Sequence, residues 1–387
     1  MRAEAIQGFR FGRVRLQNWR NFLDVTVDMQ RRVFLVGPNA SGKSNLLDAF
    51  RFLRDIAATG GGFQEAVHKR GGVSSLRCLA ARRYPDITIA VDVAGPDGGG
   101  SWSYELQFYQ DNLRRPVIRR ETVSLNGQAL MSRPDTDDES DMARLTQTHL
   151  EQVNVNRAFR GLAEFFRSVR YLHIVPQLVR EPDRSIGRSD DPYGGDFLEQ
   201  VARKDKRVQG AWLRKIQEAL RVAVPQLSEL ELKQDERGMW HLRGKYEHWR
   251  PQGAWQSEGD FSDGTLRLIG LLWAVLDGSG PLLLEEPEMS LHPEVVRYLP
   301  QMLARAQRRT GRQILVSTHS SDLLLDSGIG LDEVLLVEPS TEGSSVRPAS
   351  AFREIKPLLD GGSTLAEAVV PRTRPRGVEQ LALFGDR

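Results

Sequence analysis

The junction between Arg32-Val33-Phe34-Leu35-Val36 and Gly37-Pro38-Asn39-Ala40-Ser41-Gly42-Lys43-Ser44 constrains this chain more than any other segment. Gly-x4-Gly-Lys-Ser is a complete P-loop when a strand precedes it and a helix follows. Both flanks are present: an apolar, β-branched run comes before, and residues 46, 47, 50, 53 and 56 afterwards are apolar at helical spacing. Gly60-Gly61-Gly62 ends the helical pattern. The two glycines of the loop let backbone N–H groups approach phosphate oxygens, and the helix start adds partial positive charge. Lys43 is placed to reach β- and γ-phosphates, and Ser44 to offer a hydroxyl to Mg²⁺. The nucleotide-contacting set read here is Gly37, Pro38, Asn39, Ala40, Ser41, Gly42, Lys43, Ser44 and Asn45.

The remaining periodicity frames this unit. Residues 12–36 predict two or three short strands, and 86–93, 102–109 and 117–125 predict antiparallel strands separated by turns. The acidic run 134–141 predicts a solvated, mobile loop. Helical spacing follows at 142–168 and 196–222, with a strand at 171–175, while 228–249 fits neither pattern cleanly. The last third alternates: helix 261–276, strand 281–284, helix 292–309, strand 313–317, strand 332–337. Short apolar strands between helices imply a mostly parallel sheet. The stretch after about residue 345 carries proline and arginine and predicts a loosely ordered tail, apart from its last few residues.

Three further motifs carry candidate chemistry. Leu282-Leu283-Leu284-Glu285-Glu286 has the form of a Walker B strand, with carboxylates at a strand end where ligands bind in such sheets. Glu285 is the candidate metal holder, through water, and Glu286 the candidate general base. The bland reading is an acidic turn facing solvent. Ser317-Thr318-His319 ends the next core strand, where a histidine can contact a γ-phosphate, order the attacking water, or simply pack. Phe261-Ser262-Asp263-Gly264-Thr265 opens a helix, with Ser262 and Gly264 as candidate phosphate contacts. Serine and aspartate are also ordinary N-caps.

Composition excludes several classes. The 387 residues are 40% hydrophobic and 27% charged, ordinary for a globular protein. A single cysteine, Cys78, leaves no intramolecular disulfide and no cysteine zinc site. The longest apolar run, 268–276, is nine residues, against about 20 for a membrane span. The first residues show no apolar secretory core, so the expected location is cytoplasmic. The formal charge is only +2, and the cations are eight lysines against 45 arginines. Arginine suits phosphate contacts, though genomic base composition yields the same bias.

Taken together and in this order, the P-loop, the Ser-Asp-Gly helix start, Glu-Glu-Pro-Glu, Ser290-Leu291-His292-Pro293 and Ser-Thr-His resemble an ABC-type ATPase head. The set is more similar to bacterial AAA-type ATPases related to the RecF, SMC and overcoming-lysogenisation (OLD) proteins. Asn18-Trp19-Arg20-Asn21-Phe22, Pro38-Asn39-Ala40-Ser41 and Lys43-Ser44-Asn45-Leu46-Leu47-Asp48-Ala49 agree. The resemblance spans roughly residues 12–340 and rests on about 40 of them. It implies an α/β fold: a P-loop ABC-type ATPase head with a mostly parallel sheet, an antiparallel β subdomain and a helical subdomain.

The implied head covers 1–345, with a P-loop lobe at about 10–180, a helical insert at about 135–250 and a signature and Walker B lobe at about 255–345; 346–387 is the tail. It implies ATP and Mg²⁺, and two heads enclosing two nucleotides, one giving the P-loop and Glu286 and the other the Ser262–Thr265 helix start. It also implies a Mg²⁺-sensing glutamine, for which Gln177 is the candidate.

Departures narrow the implied role. Asp263 and Thr265 stand where transporter heads carry glycine and glutamine, against a transporter subunit. No heptads indicate SMC arms, and the 68 residues after His319 leave little room for the TOPRIM nuclease domain of OLD enzymes. The implied function is ATP binding and hydrolysis in DNA maintenance, repair or anti-phage defence, with DNA, a separately encoded nuclease or toxin, and a second copy of the chain as partners and no membrane. Two alternatives are a transporter ATPase subunit and a slow nucleotide-dependent switch. Finally, Gln380-Leu381-Ala382-Leu383-Phe384 resembles the short motif by which bacterial proteins bind the sliding clamp, through Gln380, Leu381, Leu383 and Phe384. A short turn docking on its own domain reads equally well.

Overall fold

A computed structural model of the protein describes residues 7–82, 85–96, 99–181, 191–247, 254–374 and 377–383. The chain forms two bodies that cut across the sequence. One comprises Met1–Arg170, Ser279–Leu283 and Gln307–Arg387; the other comprises Tyr171–Gly278 and Leu284–Ala306. Among the described residues no helix is long and apolar enough to cross a membrane.

The first body begins with β1 (Arg10–Trp19), β2 (Phe22–Asp28) and β3 (Arg32–Val36), then α1 (Lys43–Ala57), α2 (Phe63–His68) and α3 (Val73–Leu76). β4 (Ile87–Ala94), β5 (Ser101–Gln110), β6 (Pro116–Leu125) and β7 (Gln128–Arg133) follow, then α4 (Thr136–Ser140) and α5 (Arg160–Arg167). Six strands form an antiparallel sheet in the order β2-β1-β4-β5-β6-β7. Alternation along β1 buries Phe11, Val14 and Leu16 and exposes Arg13 and Arg15. Phe11 packs on Phe50 of α1 and on Phe165 of α5, and Trp19 on Phe52, so α1 is fixed along its length by aromatic packing.

The chain then passes through β8 (Arg170–Leu172) into the second body. This holds α6 (Pro176–Arg180), α7 (Phe197–Ala202), α8 (Lys206–Ala223), β9 (Leu227–Gln234), β10 (Trp240–Tyr246), β11 (Ala254–Ser257) and α9 (Asp263–Leu276). The stretch 228–249, ambiguous in sequence, is the antiparallel pair β9–β10, extended by β11. Leu213, Ile216 and Leu220 of α8 meet Leu227, Leu242, Phe261, Ile269 and Trp273 in one core.

β12 (Leu282–Glu285) and α10 (Pro293–Thr310) lead to β13 (Ile314–Thr318), β14 (Val334–Glu338), β15 (Ser345–Pro348), α11 (Ile355–Asp360) and α12 (Leu365–Val369). The second six-stranded sheet has the order β15-β14-β3-β13-β12-β8. β3 lies parallel to both β13 and β14, while β15 is antiparallel to β14. β3 and β13 are buried at every residue, as central parallel strands require.

Three expectations differ from the structure. The acidic run 134–141 is ordered: Asp135 and Asp138 form a capping box on α4, and Asp138 is fully buried. The cause is Arg133, itself 1% exposed, which donates to both Asp138 oxygens at 2.8 and 2.7 Å, to Glu121 at 3.3 Å, and to the carbonyls of Gln147 and Arg144. A buried charge demands partners, and this one gathers them from the acidic segment.

Second, the helical pattern over 142–168 breaks into 3₁₀ turns at Met142–Thr146 and Asn156–Phe159 before α5. The N–H groups of His149 and Leu150 go to the buried Glu121 carboxylate instead of a helix. Third, the tail is largely structured. Ile355, Leu365, Ala366 and Val369 are buried, so α11 and α12 dock despite the surrounding prolines and arginines. Gln380 to Leu383 lie in a 3₁₀ segment, Val378–Leu383, and Phe384 lies outside the described residues.

Candidate functional site

In the first body the P-loop connects β3 to α1. Gly42 is the N-cap of α1 with φ 110°, a left-handed conformation open to glycine, and no side chain caps the helix. A Cβ at Gly42 would collide with the Asn21 amide, and one at Gly37 with the Val337 carbonyl and the Ser41 hydroxyl. The Ser41 Oγ is fully buried with no hydrogen-bond partner among the described residues. Lys43 is buried and its Nζ donates to the carbonyls of Gly37 at 2.8 Å and Pro38 at 3.0 Å. Asn39, Ala40 and Ser44 are exposed, and Ala40 also has positive φ, 60°.

The turn is held from outside by the β1–β2 hairpin. Asn21 Nδ2 donates to the Ser41 carbonyl and to Ser344 Oγ, both at 2.7 Å, and Asn45 Nδ2 donates to Asn21 Oδ1 at 2.9 Å. Trp19 Nε1 donates to the Asn45 carbonyl at 2.8 Å. Asn21 therefore ties together the hairpin tip, the P-loop and the segment before β15. His319, at the end of β13 in the same body, is exposed and follows the buried Ser317 and Thr318. Ser317 Oγ has no hydrogen-bond partner among the described residues.

The other motifs lie in the second body. Glu285 is tied on both its side chain and its backbone. The Tyr171 hydroxyl donates to Glu285 Oε2, and His173 Nδ1 lies 3.3 Å from the Glu285 carbonyl. Glu286 is half-buried with φ 44°, an uncommon conformation for a residue with a side chain and one that gathers at functional sites. Ser262 is the exposed N-cap of α9; its Oγ accepts the Thr265 N–H at 3.2 Å and shares a hydrogen with Thr265 Oγ1 at 2.8 Å. A Cβ at Gly264 would strike the Ser290 carbonyl, so glycine is what lets this helix start lie against the Ser-Leu-His-Pro segment.

Asp263 pairs with Arg180 at 2.6 Å, and Arg180 also donates to the Phe261 carbonyl. Arg267, one turn further, has a buried Nε with no partner among the described residues. Burial holds its pKa below the usual arginine value, against the pull of Asp263, Glu286 and Glu288. Gln177 is exposed at the second position of α6.

The sequence reading missed Asn21, Tyr171, His173 and Arg267 as site residues. For Tyr171 and His173 a signal existed: alternation along an extended segment puts residues 171 and 173 on one side. Asn21 lay inside the Asn18–Phe22 segment that carries the resemblance, but its contact with Ser344, 323 residues away, had no local signal.

The P-loop fits a phosphate chain on these observations: glycines where no Cβ has room, an uncapped helix start, a buried ammonium and a buried hydroxyl lacking a partner. Another cluster has metal-ligand chemistry, since Asp135, Asp138 and His149 bring ligand atoms within 4.8 Å of one another. Both Asp138 oxygens are already taken by Arg133, however, which marks this cluster as an ion-pair hub.

Sheet order, P-loop and the motifs on the following strands define a P-loop ATPase head with the fold of SMC heads. The model of the family described as "AAA domain, putative AbiEii toxin, Type IV TA system" matches residues 32–326, and the chain belongs to that family. Solved structures share the fold. An SMC head bound to the C-terminal winged-helix domain of ScpA is 15% identical over 87% of this chain and 96% of its own, with a TM-score of 0.54. The SMC head of Pyrococcus furiosus with an extended coiled coil, bound to the C-terminal domain of ScpA, is 14% identical over 92% of this chain and 100% of its own, TM-score 0.53. The SMC head of Pyrococcus yayanosii with a coiled coil and joint is 13% identical over the same shares, TM-score 0.53. No curated protein matches the chain.

Proposed function

We propose that the protein binds ATP with Mg²⁺ and hydrolyses it when two copies of the head close on each other, acting on DNA or on a DNA-bound partner. The observation that supports this most is the open start of α1: an uncapped helix behind a glycine turn, with the buried Lys43 and an unpartnered Ser41 hydroxyl.

In this reading the backbone N–H groups from Gly37 to Asn45 take the phosphate oxygens, and Lys43 leaves its two carbonyls for the β- and γ-phosphates. Ser44 and Glu285 would hold the metal, with Gln177 as its sensor. Bound Mg²⁺ supplies charge neutralisation at the phosphates. Tyr171 keeps the Glu285 carboxylate in one orientation. Glu286 takes the proton of the attacking water as general base, and His319 orders that water or contacts the γ-phosphate. Ser262 and Gly264 come from the second copy. Ser262 is exposed at the tip of α9, where another molecule can reach it.

The biological setting we propose is DNA maintenance, repair or anti-phage defence, with a separately encoded nuclease or toxin as effector. The toxin–antitoxin wording of the family description supports a defence setting, and the ScpA-bound SMC heads support a protein partner. The tail segment 380–384 is the proposed sliding-clamp ligand. The test is ATP turnover of the full chain, with and without DNA, as protein concentration is raised. Activity should rise more steeply than linearly, and Ser262→Arg should abolish hydrolysis while sparing ATP binding. Fully active ATP-bound monomers by light scattering would overturn the two-copy reading.

A further inference from the structure

Many surface charges of both bodies are balanced locally, although Arg305, Arg308 and Arg309 on α10 enter no ion pair among the described residues. On the first sheet Arg13 pairs with Asp28 at 2.6 Å and Arg15 with Asp24 at 3.0 Å. On β9–β10 Lys245 pairs with Glu229 at 2.9 Å and Arg243 with Glu231 at 3.7 Å. Helix α8 departs from this. Lys206, Arg207, Arg214, Lys215 and Arg221 stand on its eighteen residues with one acid, Glu218. All five cations are exposed, and among the described residues none enters an ion pair. Five cations against one acid give α8 a charge of +4, while the whole chain carries only +2, so the rest of the molecule carries −2 and offsets half of it.

The placement is ordered. Leu213, Ile216 and Leu220 face the core of the second body. Arg207, Arg214 and Arg221 recur every seven residues, a spacing that drifts only about 20° per repeat and so lines them in one stripe on the solvent side. Consecutive guanidinium-bearing positions lie about 10.5 Å apart along the axis. We infer that this stripe docks on the sugar–phosphate backbone of a nucleic acid, with Lys206 and Lys215 flanking it. The inference rests on the nucleic-acid part of the proposed function and names the surface that serves it. A linear row of arginines suits a linear row of phosphates, which arginine grips bidentately. A membrane surface fits less well, because Leu213, Ile216 and Leu220 of α8 are spent in its own core and leave only Val208 and Val222 as exposed large apolar side chains on the helix.

The experiment is fluorescence anisotropy of the full chain on a short DNA duplex, a single strand and an RNA of the same sequence, with the salt raised from about 50 to about 200 mM. Deleting one phosphate-neutralising cation should reduce the slope of log affinity against log salt by about 0.9 on the DNA duplex and about 0.7 on a single strand. The triple variant Arg207→Ala, Arg214→Ala, Arg221→Ala should therefore lose about 2.7 of slope on the duplex and about 2.1 on a single strand, and each single variant about a third of that. The triple Arg→Lys variant should keep the wild-type slope. ATP affinity should not change in any of them, and the single variants keep the test valid if the triple variant folds poorly.

Wild-type binding with an unaltered slope in the variants would overturn the stripe and leave the nucleic-acid reading standing. No binding of the wild type to any of the three nucleic acids would overturn both, while leaving ATP turnover untouched. Stripe-dependent binding to polyglutamate or phosphatidylserine vesicles but not to nucleic acid would likewise overturn the inference.

Discussion

The helices α1 and α9 both open on a small-residue turn, and both read in sequence as anion sites. Their first amides are treated differently. α1 starts behind Gly42 with no capping side chain, and its turn is braced from outside by Asn21 and Trp19. α9 starts behind Ser262, whose hydroxyl already accepts the Thr265 N–H. A third start, that of α2, is closed by a carboxylate from far along the chain: Glu151 accepts the Phe63 N–H across 88 residues. An anion site at a helix start is thus marked by what is missing. α1 has no capping side chain, α2 is closed by the molecule's own Glu151 carboxylate, and α9 offers its remaining amides only beside a cap already in place.

The largest expected effects fall on the open start and its carboxylate. Lys43→Ala removes the buried ammonium, and ATP affinity should fall by the cost of truncating a buried hydrogen-bonded charge, about 2–5 kcal/mol, or roughly 30-fold and more. Glu286→Gln keeps the size and loses the base, so ATP should bind and stay while turnover falls about 10²–10⁴-fold. Turnover at the wild-type rate in Glu286→Gln would remove Glu286 from the chemistry.

The closed start of α2 should report itself through pH. Burial pushes the Glu151 carboxyl up from 4.5 to about 7, against the N–H groups of Phe63 and Thr148, which favour the charged form. The folded-state value is raised, so between pH 4.5 and about 7 the unfolded chain has released this proton while the folded chain keeps it. Stability therefore falls as pH rises through that window, by on the order of 2 kcal/mol from this group. Thermal melts at pH 5 and pH 8 measure it. Glu151→Gln should flatten the difference, and an equal pH dependence in the variant would assign the effect elsewhere.

Bracing of α1 is tested by Asn21→Ala, which removes two donors and one acceptor and vacates the space beside Gly42. ATP and ADP affinities should both fall about tenfold, the worth of one or two net hydrogen bonds, with little change in melting temperature. Unchanged affinities would mean that the glycines alone set the turn.

How much of this was legible follows from how local each signal is. The P-loop, the strands ending at Glu285 and Thr318, and the helix behind Ser262 are written in contiguous residues, and each lies within a residue or two of its expected place. What was hidden depends on partners far along the chain. Asn21 is an ordinary hairpin asparagine until Ser344 and Ser41 come to it. The acidic run 134–141 reads as solvated until Arg133 is seen to be buried. The buried side of α11 and α12 is masked in the sequence by the prolines and arginines around it. Tyr171 and His173, two residues apart on one side of an extended segment, meet Glu285, and nothing contiguous with the Walker B strand announces them.

The smallest effect bears most directly on α9. Ser262→Ala deletes an N-cap whose oxygen accepts at 3.2 Å from Thr265, and such deletions cost about 1 kcal/mol. Ser262→Thr should keep most of that, and Ser262→Gly should lose only a few tenths. The comparison with α1 sharpens if stability and turnover are read together across the three variants. A hydroxyl used only as a cap would lower stability in Ser262→Ala and leave turnover per folded molecule unchanged. A hydroxyl that turns towards a phosphate of a second copy would lower turnover in both Ser262→Ala and Ser262→Gly, although glycine leaves stability nearly intact. Equal turnover in the glycine variant and the wild type would place α9 with α2, as a start already closed, and leave α1 as the open one.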